Sequence, residues 1–541
     1  VNGTVVAAID QGTTSTRLML FDRQGRTLSL AQREHQQHFP QPGWVQHDAD
    51  EIWRHVGRLV PEALEQAGVD ARQVAALGIA NQRETTVVWD RTTGRSLGPA
   101  ITWQDTRTSA IVDGLVARGE AGRIVETTGL HPHTYFAGPR LRWLLDQRPE
   151  LRERAARGEV LFGTMETWLI WNLTGGVDGG VHVTDVTNAS RTMMMDLTTL
   201  TWDDTMLDLL DVPRAMLPEI RSNAEVYGTA VGRLAGVPIA GALGDQQAAL
   251  FGQTCFSPGD AKCTYGTGAF LLVNTGSERP RPGRTVLPTI AYALGDDAPV
   301  YAVEGSIAMT GSLVQWLRDS LELIETAPQV ETLARSVDDN GGCYIVPAFS
   351  GLFAPRWDPG ARGTIVGLTS YIRKGHIARA ALEATAWQTW EVVEAIRHDL
   401  GLTLETLRVD GGMTSNHLLM QYVADALDVP VERPLVSETV CLGAAYAAGL
   451  TVGYWADLNT LSHHRHRAAV WRPQMDPAVR AHESSQWNRA VEHALGWVPQ
   501  RPPAAAPRAE RPTRPPESPS VAALPPATSS LGTESDPDPG R

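Results

Sequence analysis

Asp10 closes an apolar run, Val5-Val6-Ala7-Ala8-Ile9, and opens onto Gln11-Gly12-Thr13-Thr14-Ser15-Thr16-Arg17. A carboxylate at a strand end beside a hydroxyl-rich turn suits Mg²⁺, which keeps its waters and takes one or two carboxylates plus phosphate oxygens. Arg17 adds a cation able to neutralise phosphate charge. A second turn, Gly266-Thr267-Gly268, stands between the runs Ala261-Lys262-Cys263-Thr264-Tyr265 and Ala269-Phe270-Leu271-Leu272-Val273. Short turns rich in glycine and hydroxyls aim several backbone N–H groups at one point, a concavity suited to phosphate. Either turn alone is an ordinary β-hairpin. Two of them, one per half-chain, favour a duplicated architecture closing on a polyphosphate. The chain has no G-x-x-x-x-G-K-[ST] and no G-x-G-x-x-G between an early strand and helix, which removes the P-loop and dinucleotide-binding readings.

The elements around these turns alternate. Leu77-Gly78-Ile79-Ala80 reads as a strand, and Leu407-Arg408-Val409-Asp410 as a buried one, followed by a Gly411-Gly412-Met413-Thr414-Ser415-Asn416 turn that opens a helix through Tyr422 and Leu427. Ala378, Leu382, Ala386, Trp390, Val393, Ile396 and Leu400 recur at helical spacing and predict a long amphipathic helix ended at Gly401. Strands and helices alternating in both halves mean an α/β fold. We expect a boundary near Gly252, giving domains 1–252 and 253–498. On residue chemistry alone, Asp245 reads as a helix N-cap or turn residue, Arg83-Glu84 as a loop after a strand, and Trp103, Tyr135 and Phe270 as core aromatics.

Composition narrows the class of partner. The 541 residues carry a net charge of −14, with 42% hydrophobic and 20% charged residues, as in an ordinary globular protein. An acidic surface disfavours nucleic acid and anionic membranes, and no run of about eighteen apolar residues predicts a membrane span. The start of the chain lacks a signal-peptide pattern. Four scattered cysteines, with no C-x-x-C pair, predict buried reduced thiols rather than a disulfide framework, so the expected location is the cytoplasm. Residues 499–541 contain 12 prolines and no aromatic, and read as a disordered tail.

Taken together, Asp10-Gln11-Gly12-Thr13-Thr14-Ser15-Thr16-Arg17, Asn81-Gln82-Arg83-Glu84-Thr85-Thr86, Gly244-Asp245-Gln246-Gln247 and Thr264-Tyr265-Gly266-Thr267-Gly268 closely resemble the FGGY carbohydrate kinase family, in particular its glycerol-phosphorylating members. Gly351-Leu352-Phe353-Ala354-Pro355, Ala361-Arg362-Gly363 and Asp410-Gly411-Gly412 extend the resemblance over residues 5–497. The resemblance implies two actin-like (ribonuclease H-like) ATPase domains around a central cleft. It also implies transfer of a phosphoryl group from MgATP to glycerol, in a homodimer or homotetramer.

By the same resemblance Asp245 is the catalytic base, and Arg83, Glu84, Trp103, Tyr135, Asp245, Gln246 and Phe270 bind the polyol. Thr13, Thr14, Ser15, Arg17 and Thr267 match phosphate positions, and Gly311, Gln315, Gly412 and Asn416 match positions around the nucleoside. Asp10 and Asp245 would anchor Mg²⁺ through water. Two departures from the family pattern stand out: Glu166 where Asp is usual, and Arg140 where Lys is common. The rival readings are a kinase for another small polyol or ketose of the family, and, in a different class, a nucleotide-switched actin-like protein.

Overall fold

The computed structural model describes residues 4–283 and 285–498; the tail expected to be disordered, 499–541, lies outside the described residues. Two large sheets organise the chain. The first holds β1 (Val5–Gln11), β2 (Ser15–Phe21), β3 (Thr27–Glu34), β4 (Val74–Asn81), β5 (Gly228–Thr229) and β6 (Pro238–Gly244), in the order β5-β6-β4-β1-β2-β3. The second holds β7 (Ala261–Tyr265), β8 (Ala269–Gly276), β9 (Leu287–Tyr292), β10 (Val300–Ile307), β11 (Leu407–Asp410), β12 (Val431–Pro434) and β13 (Arg467–Trp471), in the order β9-β10-β8-β7-β11-β12-β13. The helices that matter below are α1 (Ala49–Ala67), α2 (Ala137–Gln147), α3 (Val186–Ala189), α4 (Asp245–Gly252), α5 (Gly311–Asp319), α6 (Lys374–Leu400), α7 (His417–Leu427) and α8 (Thr439–Thr451).

The two sheets repeat one plan. In the first, β1, β2 and β3 form an antiparallel meander, and β4 and then β6 add in parallel on the other side of β1. In the second, β7, β8 and β10 form the meander, and β11 and β12 add in parallel beside β7. This duplicated plan is the actin-like, ribonuclease H-like fold. β1 reads as an unbroken apolar run because it lies at the centre of its sheet, with every residue buried.

Strand register delivers the chemistry to one edge. β1, β4 and β6 run parallel, with Gln11 opposite Asn81 and Asn81 opposite Gly244. Asp10, Arg83 and Asp245 therefore emerge at the carboxyl ends of neighbouring strands, where open α/β sheets bind ligands. In the second sheet Thr264 lies opposite Asp410, so the Gly266 turn and Gly411-Gly412 stand side by side.

Helix α8, late in the chain, returns to cover the first sheet. A Cβ on Gly78 of β4 would lie 2.0 Å from the Ala444 carbonyl oxygen, and one on Gly443 would lie 1.8 Å from that of Ala248. Backbone meets backbone at both crossings, which only glycine permits. The expected long helix is α6, ended by Gly401 at φ +67°, and α7 opens with Asn416 accepting from the Leu419 N–H at 2.8 Å. All four cysteines are buried and free, and no helix among the described residues is long and apolar enough to cross a membrane.

Candidate active site

Asp10 and Arg17 face each other across the β1–β2 hairpin. Their register makes them a cross-strand ion pair, with Nη1 of Arg17 at 3.2 Å from Oδ2 of Asp10 and 2.9 Å from Oε2 of Glu438. Burial pushes the Asp10 carboxyl up to about 7, the nearby Asp245 and Glu438 charges push the same way, and Arg17 opposes them. Asp10 and Glu438 thus share one cation. Arg17, expected on phosphate, is engaged here with both acids.

Asp245 is the first residue of α4, with Gly244 in the capping position, so it is not the helix N-cap that residue chemistry alone allowed. Its Oδ1 accepts from the Gln246 N–H at 2.7 Å and lies 3.3 Å from Nε of Arg83. A quarter of the side chain stays open. Burial raises its pKa while Arg83 and Lys262 lower it, the net direction being up, and a raised carboxylate is a better proton acceptor.

Around Asp245 the structure assembles charges that the sequence did not single out. Glu304, at the middle of β10 and fully buried, accepts from Nη1 of Arg83 at 2.5 Å and Nη2 at 3.0 Å. Arg191, just after α3, donates from Nε to Oε1 of Glu84 at 2.6 Å and from Nη2 to Glu304 at 3.3 Å. Lys262 reaches Oε1 of Gln246 and Oγ1 of Thr264. Three cations, Arg83, Arg191 and Lys262, thereby interleave with three anions, Glu84, Asp245 and Glu304. Arg83 and Glu84 are therefore buried residues rather than a surface loop. Glu84 holds φ +62°, a left-handed conformation unfavourable to a side chain, and such strain persists only where its surroundings enforce it.

The aromatic trio converges as well. Trp103 packs edge-on against Tyr135 and Phe270, with ring centroids 5.6 and 6.2 Å apart, and its indole N–H donates to Oγ1 of Thr13 at 3.0 Å. Buried Arg140 on α2 fixes this wall from behind: it donates to the carbonyls of Glu84, Trp103, Thr134 and Tyr135 at 2.5–3.0 Å. Nη1 serves Glu84 and Nη2 the other three carbonyls, so one planar head ties three separate segments together.

On the second sheet the Thr267 carbonyl accepts from the N–H groups of Thr310 and Ser312, and Gly311 N–H from α5 bonds to Gly266 at 3.0 Å. A Cβ on Gly311 would lie 2.5 Å from the Gly266 carbonyl and 3.3 Å from Met413, so the turn, α5 and the Gly411-Gly412 turn form one corner. A Cβ on Gly412 would meet nothing within 4 Å. Thr14, Gln315 and Thr267 are exposed, Ser15 accepts from Gln32 at 3.1 Å, and Asn416 uses its carbonyl to cap α7.

Residues 5–252 match the N-terminal domain of the FGGY family of carbohydrate kinases and residues 261–452 match its C-terminal domain. The chain belongs to the FGGY family of carbohydrate kinases. This FGGY kinase is 60% identical over 493 residues to glycerol kinase 2 of Streptomyces avermitilis, covering 91% of the chain and 97% of the relative. It is 57% identical over 494 residues to the glycerol kinase of Roseiflexus sp., covering 91% and 99%. Among solved structures it superposes on Plasmodium falciparum glycerol kinase with ADP at a TM-score of 0.85 and 38% identity, covering 91% of this chain and 98% of that one. Xylulose kinase of Lactobacillus acidophilus, at TM-score 0.80 and 22% identity, shares the fold.

The FGGY kinase carries its missed residues in plain view. Glu304 interrupts Val300-Tyr301-Ala302-Val303, and Lys262 sits inside an otherwise buried strand. A charge within a buried strand requires a partner, and that requirement was the available signal.

Proposed function

We infer that this kinase transfers the γ-phosphoryl group of ATP to glycerol, giving ADP and sn-glycerol 3-phosphate. One observation carries the reading: Asp245, recessed but open, lies 3.3 Å from Arg83 at the carboxyl ends of the strands that also present the first phosphate-type hairpin. The relatives at 57–60% identity are glycerol kinases, which supports the same acceptor.

In this reading glycerol lies against Trp103, Tyr135 and Phe270, with its hydroxyls toward Arg83, Glu84, Asp245 and Gln246. Asp245 accepts the proton of the attacking hydroxyl, which then displaces ADP in line. Phosphoryl transfer needs positioning and charge stabilisation more than a strong base. Thr13, Thr14, Ser15, Arg17 and Thr267 hold the phosphates; Gly311, Gln315, Gly412 and Asn416 surround the nucleoside. The open space beside Gly412 supports close approach of a nucleotide there. We place the domain boundary after residue 252.

Asp10 and Asp245 fit a divalent cation, since the Asp245 charge bears on buried Asp10 and Arg17 is the cation that opposes it. No group of three His, Cys, Asp or Glu that could hold a metal converges among the described residues, so water and phosphate oxygens complete the shell, as Mg²⁺ prefers. When bound, Mg²⁺ offsets phosphate charge.

Four buried free thiols support a cytoplasmic location, and a homodimer or homotetramer is testable by sedimentation. The deciding assay is ADP release with glycerol, xylulose, ribulose, erythritol or no acceptor. Glycerol should give the highest kcat/KM. A better ketose would select another member of the family, and acceptor-independent turnover would select a nucleotide switch.

A further inference from the structure

We propose that Glu304 is the positioning residue of the acceptor pocket: reaching from the second sheet, it fixes Arg83 of the first and Arg191 beside it, so that the acceptor site is built across both sheets. The proposal rests on the reading of Arg83 and Glu84 as the polyol clamp.

Glu304 stands in β10, whose hydrogen-bonded neighbours are β8 and β9 of the second sheet. Arg83 follows β4 of the first sheet, and Arg191 follows α3, which packs against both β6 of the first sheet and β9 of the second. Glu304 has no exposed surface. Its two oxygens take both terminal nitrogens of Arg83, while Oε1 also receives Arg191 at 3.3 Å and the Ser306 hydroxyl at 3.2 Å. A bidentate fork fixes the plane of a guanidinium as well as its distance. With Nη1 and Nη2 held by Glu304, Nε of Arg83 is left at 3.3 Å from Asp245. Arg191 hands the constraint on, because its Nε holds Oε1 of Glu84, the residue with the left-handed backbone. One carboxylate from the second sheet thus sets the orientation of both members of the clamp and of the cation beside the base.

Electrostatics fit this role. Arg191, Arg83 and Lys262 hold the Glu304 carboxyl down at about 2 despite complete burial, so it stays charged throughout the range in which a kinase works. Removing its charge leaves Arg83 and Arg191 next to each other with one anion fewer, and each is then free to turn toward Asp245 or Glu84 alone. A carboxylate serving only as a packed core bridge would affect folding and every kinetic constant alike. A positioning residue affects the acceptor selectively.

The test uses the full chain with Glu304→Gln, Glu304→Asp and Arg83→Ala, measuring KM for glycerol and ATP, kcat, thermal melting and MgADP binding. Glutamine keeps the shape and loses the charge; aspartate keeps the charge one methylene short. We expect Glu304→Gln to raise KM for glycerol at least about tenfold while KM for ATP and the MgADP affinity move less than about threefold. Glu304→Asp should recover part of the loss. A glycerol KM within about threefold of wild type in a folded Glu304→Gln protein, with Arg83→Ala still raising it, overturns the positioning role alone. An unchanged glycerol KM in Arg83→Ala as well overturns the clamp reading beneath it. If glutamine prevents folding, the aspartate variant carries the same comparison; if neither folds, Glu304 is a structural bridge and the proposal fails.

Discussion

The indole N–H of Trp103 donates to Oγ1 of Thr13 at 3.0 Å. Trp103 belongs to the aromatic wall and Thr13 to the hairpin after β1, so this bond ties the proposed acceptor pocket to the proposed phosphate pocket. Thr13→Val keeps the shape and removes the acceptor. A lost hydrogen bond of this kind costs about 0.5–1.5 kcal/mol net, so KM for glycerol and for ATP should both rise about two- to tenfold. Steady-state kinetics with each substrate varied will check this, and a change confined to one substrate would show that the bond does not link the pockets.

Helix α4 carries Asp245 and rests on α8 at Gly443. Alanine is the better helix former by about 1 kcal/mol, yet its Cβ would sit 1.8 Å from the Ala248 carbonyl oxygen and 2.9 Å from the Gly252 nitrogen. Backbone cannot yield as a side chain does, and overpacking costs about 1–3 kcal/mol or more. Gly443→Ala should lower the melting temperature and, by shifting α4, lower kcat as well. A variant as stable and active as wild type would mean that the helices part without moving the base.

Glu166 and Asp185 share a buried polar cluster. Asp185 is supplied with donors from Thr187, Asn188 and Asn223, whereas Glu166 collects three threonine hydroxyls on Oε1 and leaves Oε2 without a partner. Burial, with the Asp185 charge adding to it, pushes the Glu166 carboxyl up to about 7 from its ordinary 4.5. Between pH 4.5 and about 7 the native state binds more protons here than the unfolded chain, so stability falls as pH rises through that window. At about 1.4 kcal/mol per unit, the loss is on the order of 1–3 kcal/mol. Glu166→Gln should flatten the decline, and chemical melts of both proteins at pH 5 and pH 8 will measure it. Equal losses in the two proteins would place the titration elsewhere.

The fold was more legible than the site. Both phosphate-type hairpins, the strand Leu407–Asp410 and the helix ended by Gly401 follow local rules: apolar runs, turn residues and a glycine at φ +67°. The duplicated plan followed from seeing two similar turns. Glu304 showed only as a charge in an apolar strand that needed a partner, and neither its partner nor that of Arg191 was legible, because each lies more than 100 residues away. Arg140 showed in the sequence only as an odd residue, and its four carbonyl partners come from three separate segments. Local pattern fixes where strands end; it carries no information on which buried charges will meet there.

Asp245→Asn tests the base itself. The amide keeps an oxygen in the place that accepts the Gln246 N–H at 2.7 Å, so the first turn of α4 retains its bond. The neighbouring cations are not stranded either, since Arg83 keeps Glu304 and Lys262 keeps Gln246 and Thr264. Folding should therefore be nearly intact, with melting close to wild type. An amide oxygen cannot take the hydroxyl proton, and general-base assistance is typically worth ~10²–10⁴-fold. We expect kcat to fall by that amount while KM for glycerol changes far less, because shape and hydrogen-bonding capacity at the acceptor are preserved. The split matters: equal loss in kcat and in glycerol affinity would indicate a displaced pocket rather than a missing base. A purified variant that melts normally and keeps more than about a tenth of wild-type kcat would remove Asp245 from the role, leaving its 3.3 Å approach to Arg83 as a purely structural contact.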